Sequence, residues 1–131
     1  LKNILDSHDL HDDVTVILPQ NDVITKCDSQ RMRIVFLNLL LNAIDAVGKN
    51  GTVMIRFHDY KELVKIEFED SGSSLEEKDL EHLFEPLFTT KQKGTGLGLS
   101  SVENIIKEHD GAISVTLSPT VFTIILPKTL N

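Results

Sequence analysis

The stretch Thr52-Val53-Met54-Ile55-Arg56-Phe57-His58, the polar tetrapeptide Asp59-Tyr60-Lys61-Glu62 and the stretch Leu63-Val64-Lys65-Ile66-Glu67-Phe68-Glu69 decide the fold. Both longer stretches alternate apolar and polar side chains. Val53, Ile55 and Phe57 share one side of the first, and Val64, Ile66 and Phe68 share one side of the second. A period of two predicts half-buried antiparallel strands joined by the tetrapeptide. A sheet with one apolar face needs a covering layer.

Upstream lies the cover. From Asp28 or Ser29, either of which can serve as N-cap, to Val47, the residues Met32, Val35, Phe36, Leu39, Leu40, Ala43, Ile44 and Val47 recur at steps of three and four. Gly48 and Gly51 follow, so the segment predicts a helix of about five turns. Before it, Val14 to Leu18 and Val23 to Cys27 are short runs rich in β-branched residues around Pro19-Gln20-Asn21-Asp22, which predicts two strands or one hairpin. Downstream, Leu75 to Phe84 predicts a short acidic helix and Leu99 to His109 an amphipathic one ending at Asp110-Gly111. Ala112 to Leu117 and Val121 to Leu126 predict a closing hairpin around Ser118-Pro119-Thr120. The sum is an α+β chain: a two-layer α/β sandwich, with three helices on one face of a mixed, mostly antiparallel sheet.

At 131 residues the chain fits one domain able to bury a core without disulfide or metal staples. No run of 18 apolar residues and no charged leader before an apolar stretch is present, so a soluble piece is expected. The lone Cys27 fits a reducing compartment and reads as a small buried hydrophobe. A formal charge of −7 opposes nonspecific binding to nucleic acid or anionic lipid. With no tryptophan and the single Tyr60, there is also no stacking platform for single strands. A small anion can still bind where amides, a lysine and a divalent cation outweigh the global field.

Three features invite such a ligand. Phe88-Thr89-Thr90-Lys91-Gln92-Lys93-Gly94-Thr95-Gly96-Leu97-Gly98-Leu99-Ser100 puts glycines at alternate positions before a helix, where backbone amides and the positive helix end attract phosphate. Asn38 and Asn42, four apart on the long helix, project from one side one turn apart, and amide oxygens are neutral, hard donors suited to Mg²⁺. Asp70, at a strand end before Ser71-Gly72-Ser73-Ser74, can accept a hydrogen bond from an exocyclic amine such as adenine's. Each has an ordinary structural alternative: turn glycines, solvated amides, a turn aspartate.

Their order carries a resemblance. Asn38-Leu39-Leu40-Leu41-Asn42-Ala43-Ile44-Asp45-Ala46 resembles the N box of the sensor histidine kinase ATP-binding domain, and Asp70-Ser71-Gly72 its first glycine box. Phe84-Glu85-Pro86-Leu87-Phe88-Thr89-Thr90-Lys91 resembles its F box, and Gly94-Thr95-Gly96-Leu97-Gly98-Leu99 its second glycine box. The resemblance spans Val14 to Pro127 and implies the Bergerat sandwich shared with type II topoisomerases, mismatch-repair ATPases and the ninety-kilodalton chaperones.

It further implies ATP and Mg²⁺ as cofactors, Asn42 as the metal ligand with Asn38 assisting, Asp70 on the adenine amino group and Gly72 beneath the base. Gly94, Thr95, Gly96, Leu97, Gly98 and Leu99 would line the phosphates, Lys91 or Lys93 would meet the terminal ones, and Phe84 and Phe88 would anchor a lid. Hydrolysing branches carry a glutamate where this chain has Asn38, and an amide is no general base, so transfer to a protein acceptor is favoured over water attack. The implied activity is ATP-dependent protein-histidine kinase, with a histidine-bearing dimerisation domain of the same protein and a response regulator receiver domain as partners. The implied setting is cytoplasmic, on a parent that can be membrane-anchored. Residues 1–13 then read as the end of a linker and 14–131 as the catalytic domain.

Two departures stand out. Ser74 occupies the place of a second glycine in the first glycine box, at a cost on the order of 1 to 2 kcal/mol if that place needs positive φ. Leu1 to Asp13 is too short for the dimerising hairpin, and His8 lies where the family has its linker. His8, His11, Asp12 and Asp13 read as a charged surface turn, and His58, His82 and His109 lack ligand spacing. Two other readings stay open: a degenerate regulatory module that has lost phosphoryl transfer, and an anti-sigma-type serine kinase on the same fold.

Overall fold

A computed structural model of the chain describes residues 13–23, 25, 27–48, 50–72, 75–85 and 98–128. Among them the chain runs β1 (Asp13–Ile17), α1 (Ser29–Val47), β2 (Asn50–Asp59), β3 (Leu63–Asp70), a 3-10 turn at Glu77–Asp79, α2 (Gly98–Glu108), β4 (Ala112–Thr116) and β5 (Thr120–Pro127). The sheet order is β1-β2-β3-β5-β4. β1 pairs parallel with β2, and every other neighbouring pair is antiparallel. The two strands whose alternation set the fold pair with Ile55 opposite Phe68 and Phe57 opposite Ile66, which puts β3 at the centre.

Burial follows the period of two. Val53 and Ile55 on β2, Val64, Ile66 and Phe68 on β3, and Phe122, Ile124 and Leu126 on β5 turn to the helices. They meet Met32, Val35, Leu39, Leu40, Ala43 and Val47 of α1 and Val102, Ile105 and Ile106 of α2. Apart from Ala43, each such side chain contributes roughly 1.5–3 kcal/mol through removal from water. The opposite face carries ions instead: Arg56 Nε bonds Glu67 Oε1 at 3.2 Å, Arg56 Nη2 bonds Glu69 Oε1 at 2.9 Å, and His58 Nε2 lies 2.5 Å from Glu67 Oε1.

Of the two candidate N-caps, Asp28 is the one used. Its Oδ1 accepts the N–H groups of Gln30 and Arg31, each at 3.1 Å, satisfying two orphan donors of the first turn for about 1 kcal/mol.

Two predicted elements differ. The segment Val23 to Cys27 forms no strand at its described positions. β1 runs parallel to β2, and the connection between them crosses over through α1. Thr25 instead donates its hydroxyl to the Pro127 carbonyl at 2.8 Å, tying the crossover to the end of β5. The acidic segment Leu75 to Phe84 is not an α-helix, so two α-helices are described where three were expected. Its backbone bonds span three residues rather than four: Asp79 to Glu76, Leu80 to Glu77 and His82 to Asp79. Asp79 Oδ2 accepts the Glu76 N–H at 2.9 Å as part of a capping box that starts the turn, and Glu77 and Glu81 would repel at helical spacing if it continued as an α-helix. Leu83 is nevertheless buried, and Phe84 packs partly against the core.

Candidate functional site

Asn38 and Asn42 lie on the middle of α1, both half-buried. Asn38 spends its amide N–H on its own helix, Nδ2 donating to the Ile34 carbonyl at 2.8 Å. That leaves Oδ1 directed at the start of α2: a β-carbon on Gly98 would stand 2.8 Å from it. Only glycine lets the helix that follows the glycine-rich segment come so close to the asparagine.

A second close approach occurs further along α1. A β-carbon on Gly72 would stand 2.2 Å from the Ala46 carbonyl oxygen, so the turn after β3 lies against the backbone of the last helical turn. Asp70, ending β3, is 3 % exposed. Its Oδ1 accepts the Gly72 N–H at 3.0 Å, which orients the carboxylate. Ser71 extends the ladder beyond it, donating its N–H to the Thr52 carbonyl at 3.0 Å and accepting the Thr52 N–H on Oγ at 2.9 Å.

The helix therefore serves as a ruler. Asn38, Asn42 and Ala46 follow one another at single turns on one side of α1, with Gly98 at one end and Gly72 at the other. Eight residues at 1.5 Å each separate the ends by about 12 Å, the scale of a nucleotide. Asn42 sits between them.

Of the residues singled out in the sequence, Asn38, Asn42, Asp70, Gly72, Gly98 and Leu99 are thus gathered along α1 or at the strand end beside it. Lys91, Lys93, Gly94, Thr95, Gly96 and Leu97 lie outside the described residues, as do Ser74, Phe88, His8, His11 and Asp12. Among the described residues no group of three His, Cys, Asp or Glu side chains is placed to hold a metal ion. A cation here would rely on amide oxygen and on the phosphates of its own ligand, and Asn42 has the right donor chemistry for that. Cys27 is exposed rather than buried, at the chain's entry to α1; partial desolvation first, and then the Asp28 carboxylate, push its thiol above the ordinary value.

Two residues were missed. Thr120, 6 % exposed, is the direct partner of Asp70 in the β3–β5 register and so shares its face. The signal was available, since Thr120, Phe122, Ile124 and Leu126 form one period-two row headed by a hydroxyl. His109, also 6 % exposed, lies on the buried row Val102, Ile105, Ile106 of α2.

With this geometry in place, comparison with known proteins identifies the class. Residues 27–130 match the family described as Histidine kinase-, DNA gyrase B-, and HSP90-like ATPase, and the chain belongs to that family. Within it, the similarity is to sensor histidine kinases. Sensor histidine kinase ZraS of Salmonella typhimurium is 45 % identical over 106 residues, covering 78 % of this chain and 23 % of its own length. The catalytic domain of histidine kinase ThkA superposes with a TM-score of 0.80 at 35 % identity, covering 89 % of this chain and 82 % of that one. ThkA solved in complex with the response regulator protein TrrA gives a TM-score of 0.73 at 34 % identity, with 89 % and 34 % covered. The chain spans about a quarter of the length of the curated relatives first matched. Both ZraS and ThkA are named as kinases, which supports neither the degenerate module nor the serine kinase.

No described helix is long and apolar enough to cross a membrane.

Proposed function

We propose that this chain is the nucleotide-handling part of a two-component kinase, holding Mg²⁺-bound ATP and presenting its γ-phosphate to a histidine on a dimerising domain of the same polypeptide. A response regulator would then receive the phosphoryl group on an aspartate. The observation that carries this reading is the pair of close approaches along α1, Gly98 on Asn38 and Gly72 on Ala46, which bracket Asn42 and leave the buried Asp70 at one end.

In this reading Asp70 accepts the adenine amino proton, held in place by the Gly72 N–H, and Thr120 adds a hydroxyl on the same face. Bound Mg²⁺ would supply charge neutralisation for the phosphates, with Asn42 as its protein ligand. Asn38 has no basic atom, and its N–H is committed to Ile34, so nothing at that position activates water. Gly94 to Leu99 would line the phosphates, with Lys91 or Lys93 over the terminal ones. Rate enhancement comes from positioning and electrostatics rather than covalent chemistry. The cytoplasm, where ATP and reduced thiols coexist, is the setting that fits.

Calorimetric titration with a non-hydrolysable ATP analogue tests this. The 131-residue chain should bind it with Mg²⁺ dependence, Asn42→Ala should lose chiefly that dependence, and Asp70→Ala should lose chiefly the preference for adenine over guanine. Both variants binding like the parent would overturn the site. Sustained ATP hydrolysis by the chain alone would overturn the kinase assignment.

A further inference from the structure

The helices α1 and α2 run antiparallel, and their register is pinned at both ends. At one end Asn38 Oδ1 faces Gly98. At the other, Arg31 pairs with Glu108, and the backbone N–H of Asp28 donates to His109 Nε2 at 3.0 Å. From Asp28 to Asn38 is ten residues and from Gly98 to His109 eleven, about 15 Å on either helix. The two ends form one frame.

His109 is suited to hold it. Its Nδ1 lies 2.8 Å from the Ile105 carbonyl, which can only accept, so Nδ1 carries the proton and Nε2 presents its lone pair. A single neutral tautomer therefore satisfies both ring nitrogens in a buried place. The donor it engages belongs to the residue that caps α1, the helix bearing Asn38 and Asn42. A buried imidazole bonded at both nitrogens fixes distance and direction between two helices in a way that the apolar contacts of Val102, Ile105 and Ile106, which are non-directional, do not.

We infer that His109 is a positioning residue for the nucleotide site: its bond to Asp28 sets the sliding register of α2 on α1, and so decides whether Gly98 meets Asn38. This rests on the function proposed above and adds to it a residue remote from the ligand. The side chain touches no substrate.

The test uses the 131-residue chain and the variants His109→Phe, which keeps ring bulk without polar atoms, and His109→Gln, whose Oε1 reaches the place of Nε2 and can accept the Asp28 N–H. Two quantities are read: the side-chain amide resonance of Asn38, assigned against Asn38→Ser, and the affinity for a non-hydrolysable ATP analogue with Mg²⁺. His109→Phe should shift the Asn38 resonance and weaken the analogue by about fivefold to tenfold, the loss of one buried directional bond. His109→Gln should recover both to within about twofold. If His109→Phe does not fold, His109→Asn replaces it, because its amide can still donate to Ile105 but cannot reach Asp28. An unmoved Asn38 resonance, or a moved resonance with unchanged affinity, overturns the inference. The resonance is read without nucleotide, so a parent chain that binds no analogue would defeat the proposed function on its own, while tight binding by both parent and His109→Phe would defeat only the role of His109.

Discussion

The amide oxygen of Asn38 occupies space that a side chain on residue 98 would need: a β-carbon on Gly98 would lie 2.8 Å from it. The contact joins the helix with the paired asparagines to the helix that follows the glycine-rich segment. Gly98→Ala should therefore disturb ligand binding more than folding. The obstructing atom is the end of a side chain, which can turn away by giving up the 2.8 Å bond from Nδ2 to Ile34, at about 1 kcal/mol. Analogue affinity should fall about tenfold as the Asn38 amide leaves its place, while the unfolding free energy falls by no more than about 1 kcal/mol. Paired with Asn38→Ala, which clears the space, Gly98→Ala should cost less affinity than it does alone. A double-mutant cycle by calorimetry reads the difference, and strict additivity would contradict the contact.

Gly72 predicts the reverse balance. Its β-carbon would meet the Ala46 carbonyl at 2.2 Å, and backbone within a helix cannot turn aside. Gly72→Ala must move the β3 turn or bend α1, so destabilisation of about 3 kcal/mol is expected, the upper end for overpacking. Urea denaturation followed by circular dichroism measures it. A change below about 0.5 kcal/mol, the range of ordinary surface substitutions, would mean that the turn is not seated on the helix.

Much of this was legible because it depends on periods. The rows Val53-Ile55 and Val64-Ile66-Phe68 and the three-and-four spacing of Met32 to Val47 are burial patterns written in sequence. The failures occurred where tertiary pairing outranked local preference. Val23 to Cys27 has strand composition, but its described part lies in the connection from β1 to α1 and closes onto Pro127 through the Thr25 hydroxyl instead. The acidic run after Leu75 has helical spacing at Leu80, Leu83 and Phe84, yet Glu77 and Glu81 would stand one turn apart with like charge, and past its capping box the segment forms only a 3-10 turn. Thr120 and His109 were passed over for a different reason: each is a polar residue within an apolar row, and its partner, Asp70 or Asp28, is distant in sequence.

Thr120 stands opposite Asp70 in the register of β3 and β5, both buried and on one face. Thr120→Val keeps the shape and β-branching while removing the hydroxyl. Loss of the hydroxyl should change folding by about 1 kcal/mol, and affinity for the ATP analogue should fall about fivefold, the worth of one hydrogen bond to the ligand near 1 kcal/mol. Parallel titrations with adenine and guanine nucleotides check the assignment, because a residue that serves only packing would leave the ratio between them unchanged.

The outer face of the sheet sets an acid limit on stability. Burial alone would push the Glu67 carboxyl up, but hydrogen bonds from His58 and Arg56, together with their charges, more than offset this and hold it below its ordinary value of 4.5. A carboxyl whose folded value is depressed binds its proton more readily in the unfolded chain. Its stabilising contribution is therefore complete above about pH 4.5 and is lost as pH falls through the lower, folded value. The same contacts hold Arg56 in place, with Nε on Glu67 at 3.2 Å and Nη2 on Glu69 at 2.9 Å, so the guanidinium keeps one carboxylate when the other is neutralised. Glu67→Gln should accordingly cost about 1 kcal/mol at pH 7, as a half-exposed charged network loses one member but retains its hydrogen-bonding shape. The parent should converge on the variant as pH is lowered from 5 toward 3. Urea midpoints of both proteins across that range provide the measurement, and a difference independent of pH would show that Glu67 acts through packing rather than through its charge.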